Sequence, residues 1–466
     1  MSEKSKKDEV KIDLSEKIDR SCSVPILFLA FSAIVWLLVY GLFSTIAGFR
    51  LLSPGWLADS AWLSYGRLQS SSDFALYFGF LVQLGLALTG WIFSQRGKTV
   101  LIDIGFIYLG GLLWNSGVTL GLLGIITGES SGLEGLQMPD QIIPILFIGI
   151  SFVGISFVQT NNRRTDEEMK PSSWFLFVGL LWLPWILGGS YLLLYTIKVK
   201  GVLANIADWW FIQNFTMVYL TFVALGVITN FLNFLSNRNI GHRSAFVAFW
   251  VLLLFGSMGG VSPGAPVPAW LPALSTVSSV FYFVGVLISL RWIWSLQNDL
   301  DIKRTDGKFA LFLLRLSVGI FAMVSLVKFV FAFPAFGSIA EFTTFIPAIK
   351  KLYSLGFVGL AMIASFVYIF PRLVGVSFSP TVFKYQTILL ILGVFISTVP
   401  SAIGGLLSGD GKLNSGLYVS SVGNLIFLFG SFLLFLNFIG SIIVAMKNCD
   451  CLKIFQNKQQ LNQSEL

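Results

Sequence analysis

The sequence predicts an all-α polytopic membrane protein of about twelve transmembrane helices, resembling one large bundle rather than a chain of soluble domains. Three observations carry that reading. Of the 466 residues, 55% are hydrophobic and only 12% charged, about half the charged share of a soluble domain. Apolar runs long enough to cross a hydrocarbon core of about 30 Å recur along the whole chain. Basic residues, finally, fall unevenly between alternate loops, as they do in multi-pass proteins. Helices are the expected element, because a helix satisfies all its own backbone groups in lipid.

The runs place spans near 25–48, 74–95, 100–126, 141–159, 173–197, 213–236, 244–258, 268–296, 308–333, 352–371, 383–407 and 418–446. Twelve spans put both termini on one side. With that side taken as the cytoplasm, the inside segments hold 21 Lys and Arg and the outside loops 7. The bias points to cytoplasmic termini. The formal charge of +8 is then a topology signal and gives no reason to expect nucleic acid. Residues 1–23, "MSEKSKKDEVKIDLSEKIDRSCS", read as a polar cytoplasmic tail, partly an amphipathic helix, without the apolar core of a signal peptide. Residues 24–446 form the membrane domain, and 447–466 a second cytoplasmic tail. Cys22, Cys449 and Cys451 all fall at the cytoplasmic ends of terminal spans, so no disulfide framework is expected.

The longest connections are 49–73, 198–212 and 334–351. The first two are rich in Trp and Tyr ("PGWLADSAWLSYGRL", "ANIADWWF"), residues suited to a membrane interface. "WWFIQN" opens the sixth span, "SYGRLQSS" (64–71) leads into the second and "SSWFLF" (172–177) starts the fifth. "PVPAWLPALS" (266–275) enters the eighth and "YIFPRLVG" (368–375) ends the tenth. In order and spacing these stretches resemble the catalytic subunit I of the haem-copper oxygen reductases. The cbb-type cytochrome c oxidases and their nitric oxide reductase relatives are the nearest likeness. The resemblance covers roughly 60–375.

That family holds two haems and a copper ion through six histidines, imidazole being a donor that suits both metals. This chain has one histidine, His242, in the turn "SNRNIGHRS". Carried over by motif, the low-spin haem position on the second helix is Ser72. The copper positions are Gln213, Gly260 and Val261, and the tenth-helix pair is Ile349 and Lys351. The active-site tyrosine falls on Phe321. The expectation that follows is a chain without haem, copper or other cofactor, and not an enzyme: a scaffold, assembly or regulatory subunit within a respiratory-type membrane complex. Its implied partners are the lipid bilayer and other membrane subunits, and its implied location a bacterial inner membrane. A transporter or channel using the vacated cofactor cavity, with a small molecule or ion as substrate, is the alternative. An oxidase subunit I in the ordinary sense of the family is the second.

Other motifs add little. No P-loop, dinucleotide fingerprint or HExxH pattern is present, and one histidine leaves no zinc site of the usual kind. The 45 glycines read as helix-packing residues. "KFVFAFPAF" (328–336) is expected to help fill the vacated pocket. Ionisable residues inside spans are functional candidates by default. Gln213, Asn214, Lys328 and Asp73 are singled out, although a lysine near a helix end ordinarily snorkels to the interface. Asp73 and Lys351 are expected to form a salt bridge in place of the haem that would cross-link the second and tenth helices.

Overall fold

The protein's structure, a computed structural model, describes residues 3–448 except 166–167, 237–241, 262–263, 298–304 and 408–411. All regular structure among the described residues is helical. Eleven helices there are long and apolar enough to cross a membrane. In chain order, with one shorter apolar helix between the sixth and the eighth, they are α1 (Leu14–Leu52), α2 (Tyr65–Gly97), α3 (Ile104–Thr127), α4 (Ile142–Asn162), α5 (Pro171–Thr196), α6 (Val202–Leu235), α7 (Arg243–Met258), α8 (Trp270–Gln297), α9 (Gly307–Phe331), α10 (Phe345–Val374), α11 (Pro380–Leu406) and α12 (Ser415–Lys447). Helix α7 is the exception to the expected dozen. At 1.5 Å per residue, its run reaches only about 25 Å, short of the hydrocarbon core. The N-terminal segment read as a tail is helical from Glu3 and continuous with α1.

Local sequence explains where the helices turn. Pro171 and Pro380 open α5 and α11, where a missing N–H costs nothing. Gly128 and Gly375 close α3 and α10 in the left-handed conformation. Helices α11 and α12 pack closely along their length: a Cβ on Gly393 would stand 2.6 Å from the Phe427 Cα, so only glycine lets the backbones meet there.

Three helices form the centre. The most apolar windows of α2, α6 and α10 are 94% buried, against 33–50% for every other crossing helix. The outer helices turn one face to lipid, and a half-buried apolar helix is what that position requires. The sequence expectation also differs from the structure at these three. Segments 65–73, 202–212 and 345–351, taken as parts of long interfacial loops, are the first turns of α2, α6 and α10. Hydropathy alone ends a helix where polar residues begin. Here those turns continue with their polar side chains held by protein groups: Gln69 of the same helix for Asp73, the connection between α3 and α4 for Asp208, and Asn424 and Ser44 for Lys351. Asp73 and Lys351 therefore lie inside helices. Cys449 and Cys451 lie outside the described residues.

Candidate functional site

Each central helix carries a π-helical segment: Ala75–Leu81 in α2, Asn214–Leu220 in α6 and Leu352–Gly359 in α10. Such bulges are rare and gather at functional sites. Ser72, Gln213 and Lys351 each sit just before one. Between α2 and α6 the space is filled by rings. Phe78 stacks on Phe215 with centroids 5.5 Å apart, and Phe211 stacks on Phe215 at 5.7 Å. This is the filling expected of "KFVFAFPAF". In that stretch Phe329 stacks instead on Phe283 at 4.8 Å, and Phe336 is exposed. Being at the end of α9, those phenylalanines cannot reach the centre.

Two cavities flank the rings. The larger, about 310 Å³, is walled by α1, α2, α6, α10, α11 and α12, and Asp73, Tyr77, Tyr40, Ser44, Lys351 and Asn424 line it. Both Asp73 oxygens accept from Gln69 Nε2, at 3.1 Å. The Lys351 ammonium donates to Asn424 and, at 3.5 Å, to the Ser44 hydroxyl, with the Tyr40 ring centroid 5.8 Å away. Asn424 in turn donates to the Ser44 carbonyl at 3.1 Å. The expected Asp73–Lys351 salt bridge is thus not made. Gln69, four residues before Asp73, takes the carboxylate along its own helix, and Lys351 ties α10 to α12 and α1 instead.

The smaller cavity, about 140 Å³, lies between α6, α9 and α10 and is lined by Gln213, Gly260, Lys328, Tyr353 and Ser354 among others. Lys328 faces this cavity rather than the membrane interface, its Nζ 3.6 Å from the Met217 sulfur and 4.7 Å above the Tyr353 ring. Tyr77, Glu134 and Lys350 line both cavities, and Lys350 and Glu134 form an ion pair there. Beneath, Thr221 joins two tyrosine hydroxyls, Tyr353 at 2.5 Å and Tyr282 at 3.0 Å, and Tyr282 also reaches the Met217 carbonyl at 3.2 Å. Sequence reasoning missed Tyr77, Tyr282, Tyr353 and the Lys350–Glu134 pair. A buried tyrosine hydroxyl usually finds a partner, so mid-span tyrosines were a usable signal. Their pairing across helices was not.

The remaining singled-out residues are placed as follows. The Gln213 amide donates to the Gly256 carbonyl at 3.1 Å. Asn214 donates to Trp210 O at 2.9 Å and Ser257 O at 3.3 Å and accepts from Trp182 Nε1 at 3.2 Å, which makes it a clamp between α5, α6 and the end of α7. Gly260 and Val261 donate their backbone N–H groups to Ser275 Oγ at 2.9 and 3.2 Å. Ser72 is fully buried with its hydroxyl unpartnered. Ile349 packs against the core, and buried Phe321 stacks on Phe357 at 4.2 Å. Gly260 has φ +108°, and a Cβ there would meet Gln213 Cβ at 2.8 Å. Gly260→Ala is expected to cost about 2 kcal/mol through backbone strain and that clash, read as a lower unfolding midpoint in detergent.

A haem pair and a copper ion held by imidazoles do not fit this donor set. At the positions given by the motifs, Gly260, Val261 and Ile349 offer no side-chain donor, Lys351 is engaged by Asn424 and Ser44, and the Gln213 amide is bonded to Gly256. The buried, orphaned Ser72 hydroxyl is a weak ligand for haem iron. Among the described residues, no three His, Cys, Asp or Glu side chains gather as a metal site.

A polytopic helical bundle with three buried central helices, each bulged beside a polar cavity, defines a membrane protein of the oxidase subunit I type. The family model described as cytochrome c and quinol oxidase polypeptide I matches residues 24–410, and the chain belongs to that family. Among solved structures it is similar to a chain from "Cryo-EM structure of a heme-copper terminal oxidase dimer provides insights into its catalytic mechanism", at 13% identity and a TM-score of 0.70, covering 92% of this chain and 84% of that one. At that identity the likeness speaks for the fold. A search among curated proteins finds no match. Family membership overturns the expectation that the chain is not an enzyme: it points to an oxidoreductase. The absence of one set of metal-binding side chains does not by itself fix an enzyme class.

Proposed function

We propose that the chain is the subunit I-type component of a respiratory-type oxidoreductase complex, of the cbb-type branch, in a bacterial inner membrane with both termini cytoplasmic. Ser72, Gln213, Gly260, Val261, Ile349, Lys351 and Phe321 stand in this reading at the family's ligand and tyrosine positions. The same bundle orders companion membrane subunits on its outer helices. The observation that carries the reading is the family match over 24–410, on a fold whose central helices are bulged beside the cavities. The test is to purify the tagged chain from its native membranes in mild detergent and identify what accompanies it. Parallel measurements are a reduced-minus-oxidised spectrum, metal content and oxygen consumption with and without the gene. Co-purification with other oxidoreductase subunits, and lowered oxygen consumption in the deletion strain, are expected. A chain that purifies alone, from membranes whose respiration is unchanged by its loss, overturns the reading.

The second reading, a transporter or channel, draws on one specific observation: both cavities are lined by charged and hydroxyl-bearing side chains. Solute flux into vesicles containing the purified chain distinguishes it from the first.

A further inference from the structure

We propose that the smaller cavity is a binding site for a small monovalent anion, of the size of chloride, formate or nitrate, with Lys328 as its counter-charge. Lys328 lines the cavity with its ammonium, whose neighbours are the Met217 sulfur at 3.6 Å and the face of Tyr353 at 4.7 Å. Neither carries a full negative charge, and among the described residues no carboxylate pairs with Lys328. The other charged groups of the same wall, Lys350 and Glu134, pair with each other and sum to zero. One positive charge is therefore left over in a site walled by protein.

An uncompensated ammonium in such a place is costly, and intramembrane charges usually pair or line a pathway. The cavity of about 140 Å³ leaves room for the missing partner. A second donor is in position. Gln213 lines the cavity and spends one amide N–H on the Gly256 carbonyl at 3.1 Å, and an amide nitrogen carries two. An ammonium and an amide N–H, with no competing acceptor charge left over, suit a compact anion and reject a cation. Entry runs past the Lys350–Glu134 pair, since Tyr77, Glu134, Ile212, Thr216 and Lys350 belong to the walls of both cavities. The Glu134 side chain is 61% exposed, so this route reaches the protein's surface.

The experiment uses the purified full chain in neutral detergent at constant ionic strength, with gluconate as the bulky reference anion. Chloride, formate and nitrate are titrated in turn, and the unfolding midpoint is followed. Equilibrium dialysis with radiolabelled chloride gives the stoichiometry. Saturable stabilisation and one chloride per chain are expected for the unchanged protein. Lys328→Met should weaken binding at least tenfold, and Lys328→Arg should keep it. Gln213→Glu adds a carboxylate to the wall that Lys328 also lines and should abolish binding; it gives up the bond to the Gly256 carbonyl, so its fold is checked by helical content and a cooperative unfolding transition in gluconate, and as a second variant it covers the case of a misfolded Lys328→Met. Absence of saturable binding in the unchanged protein, or binding by the folded Gln213→Glu variant within twofold of it, overturns the proposal. Either result stands apart from co-purification with other subunits.

Discussion

Asp208→Ala is expected to destabilise the protein by about 3 kcal/mol. Asp208 is 5% exposed, and its two carboxylate oxygens accept the backbone N–H groups of Gly135 and Glu134, both at 3.1 Å. Hydrogen bonds to a charged group contribute about 1.5–3 kcal/mol each, and truncation also leaves two N–H donors short of a partner. The consequence extends beyond stability. Those N–H groups fix the connection between α3 and α4 that carries Glu134, and Glu134 pairs with Lys350 between the two cavities. Thermal unfolding in detergent measures the loss, and Asp208→Asn, which keeps one acceptor oxygen, should recover about half of it.

At the opposite end of the bundle, Asn230→Leu is expected to cost about 2–3 kcal/mol. The Asn230 side chain is fully buried in α6. Its oxygen accepts from Arg96 Nε of α2 at 2.9 Å and from Ser172 Oγ of α5 at 3.1 Å, while its amide donates to Gly226 O at 2.8 Å. Leucine leaves the Arg96 guanidinium with its bond to the Asn230 carbonyl at 3.0 Å and the Phe234 ring 4.0 Å away. A half-satisfied buried charge is worse than either a paired one or none. Asn230→Asp, which offers Arg96 a carboxylate, should unfold at or near the midpoint of the unchanged protein. Equal losses in the leucine and aspartate variants would show that the amide N–H given to the Gly226 carbonyl, and not the oxygen facing Arg96, carries the effect.

Much of the architecture was legible in the sequence. The spans, the helical class and the family came from apolar runs of the right length and from motifs such as "WWFIQN" and "YIFPRLVG" in their proper order. What hydropathy could not give was the start of the three central helices. Residues such as Asp73, Asp208 and Lys351 look like the edge of a span when each segment is scored by itself. Whether Gln69 or a water molecule holds Asp73 depends on a helix turn and on neighbours that a window of residues does not contain. Lys328 shows the same limit: three residues from the last position of α9, it resembles a lysine reaching for the interface, and only the placement of Met217 and Tyr353 turns it inward. The candidate residues stand out in the sequence because a polar residue in lipid demands a reason. Their partners, from helices far apart in the chain, were out of reach.

The bulges in α2, α6 and α10 bear on how such chains diverge. A π segment is a helix that has absorbed one residue more than its hydrogen-bond ladder needs. What has been inserted can be removed again: deleting one residue from Ala75–Leu81, Asn214–Leu220 or Leu352–Gly359 would restore an ordinary ladder, leave the helix on either side in its orientation and re-aim only the side chains of the widened turn. The widened turns of α2, α6 and α10 are thus places beside the cavities where a single-codon insertion or deletion re-aims a few inward side chains without breaking a membrane span. Evolution can exchange what points into the centre of this bundle by length as well as by substitution.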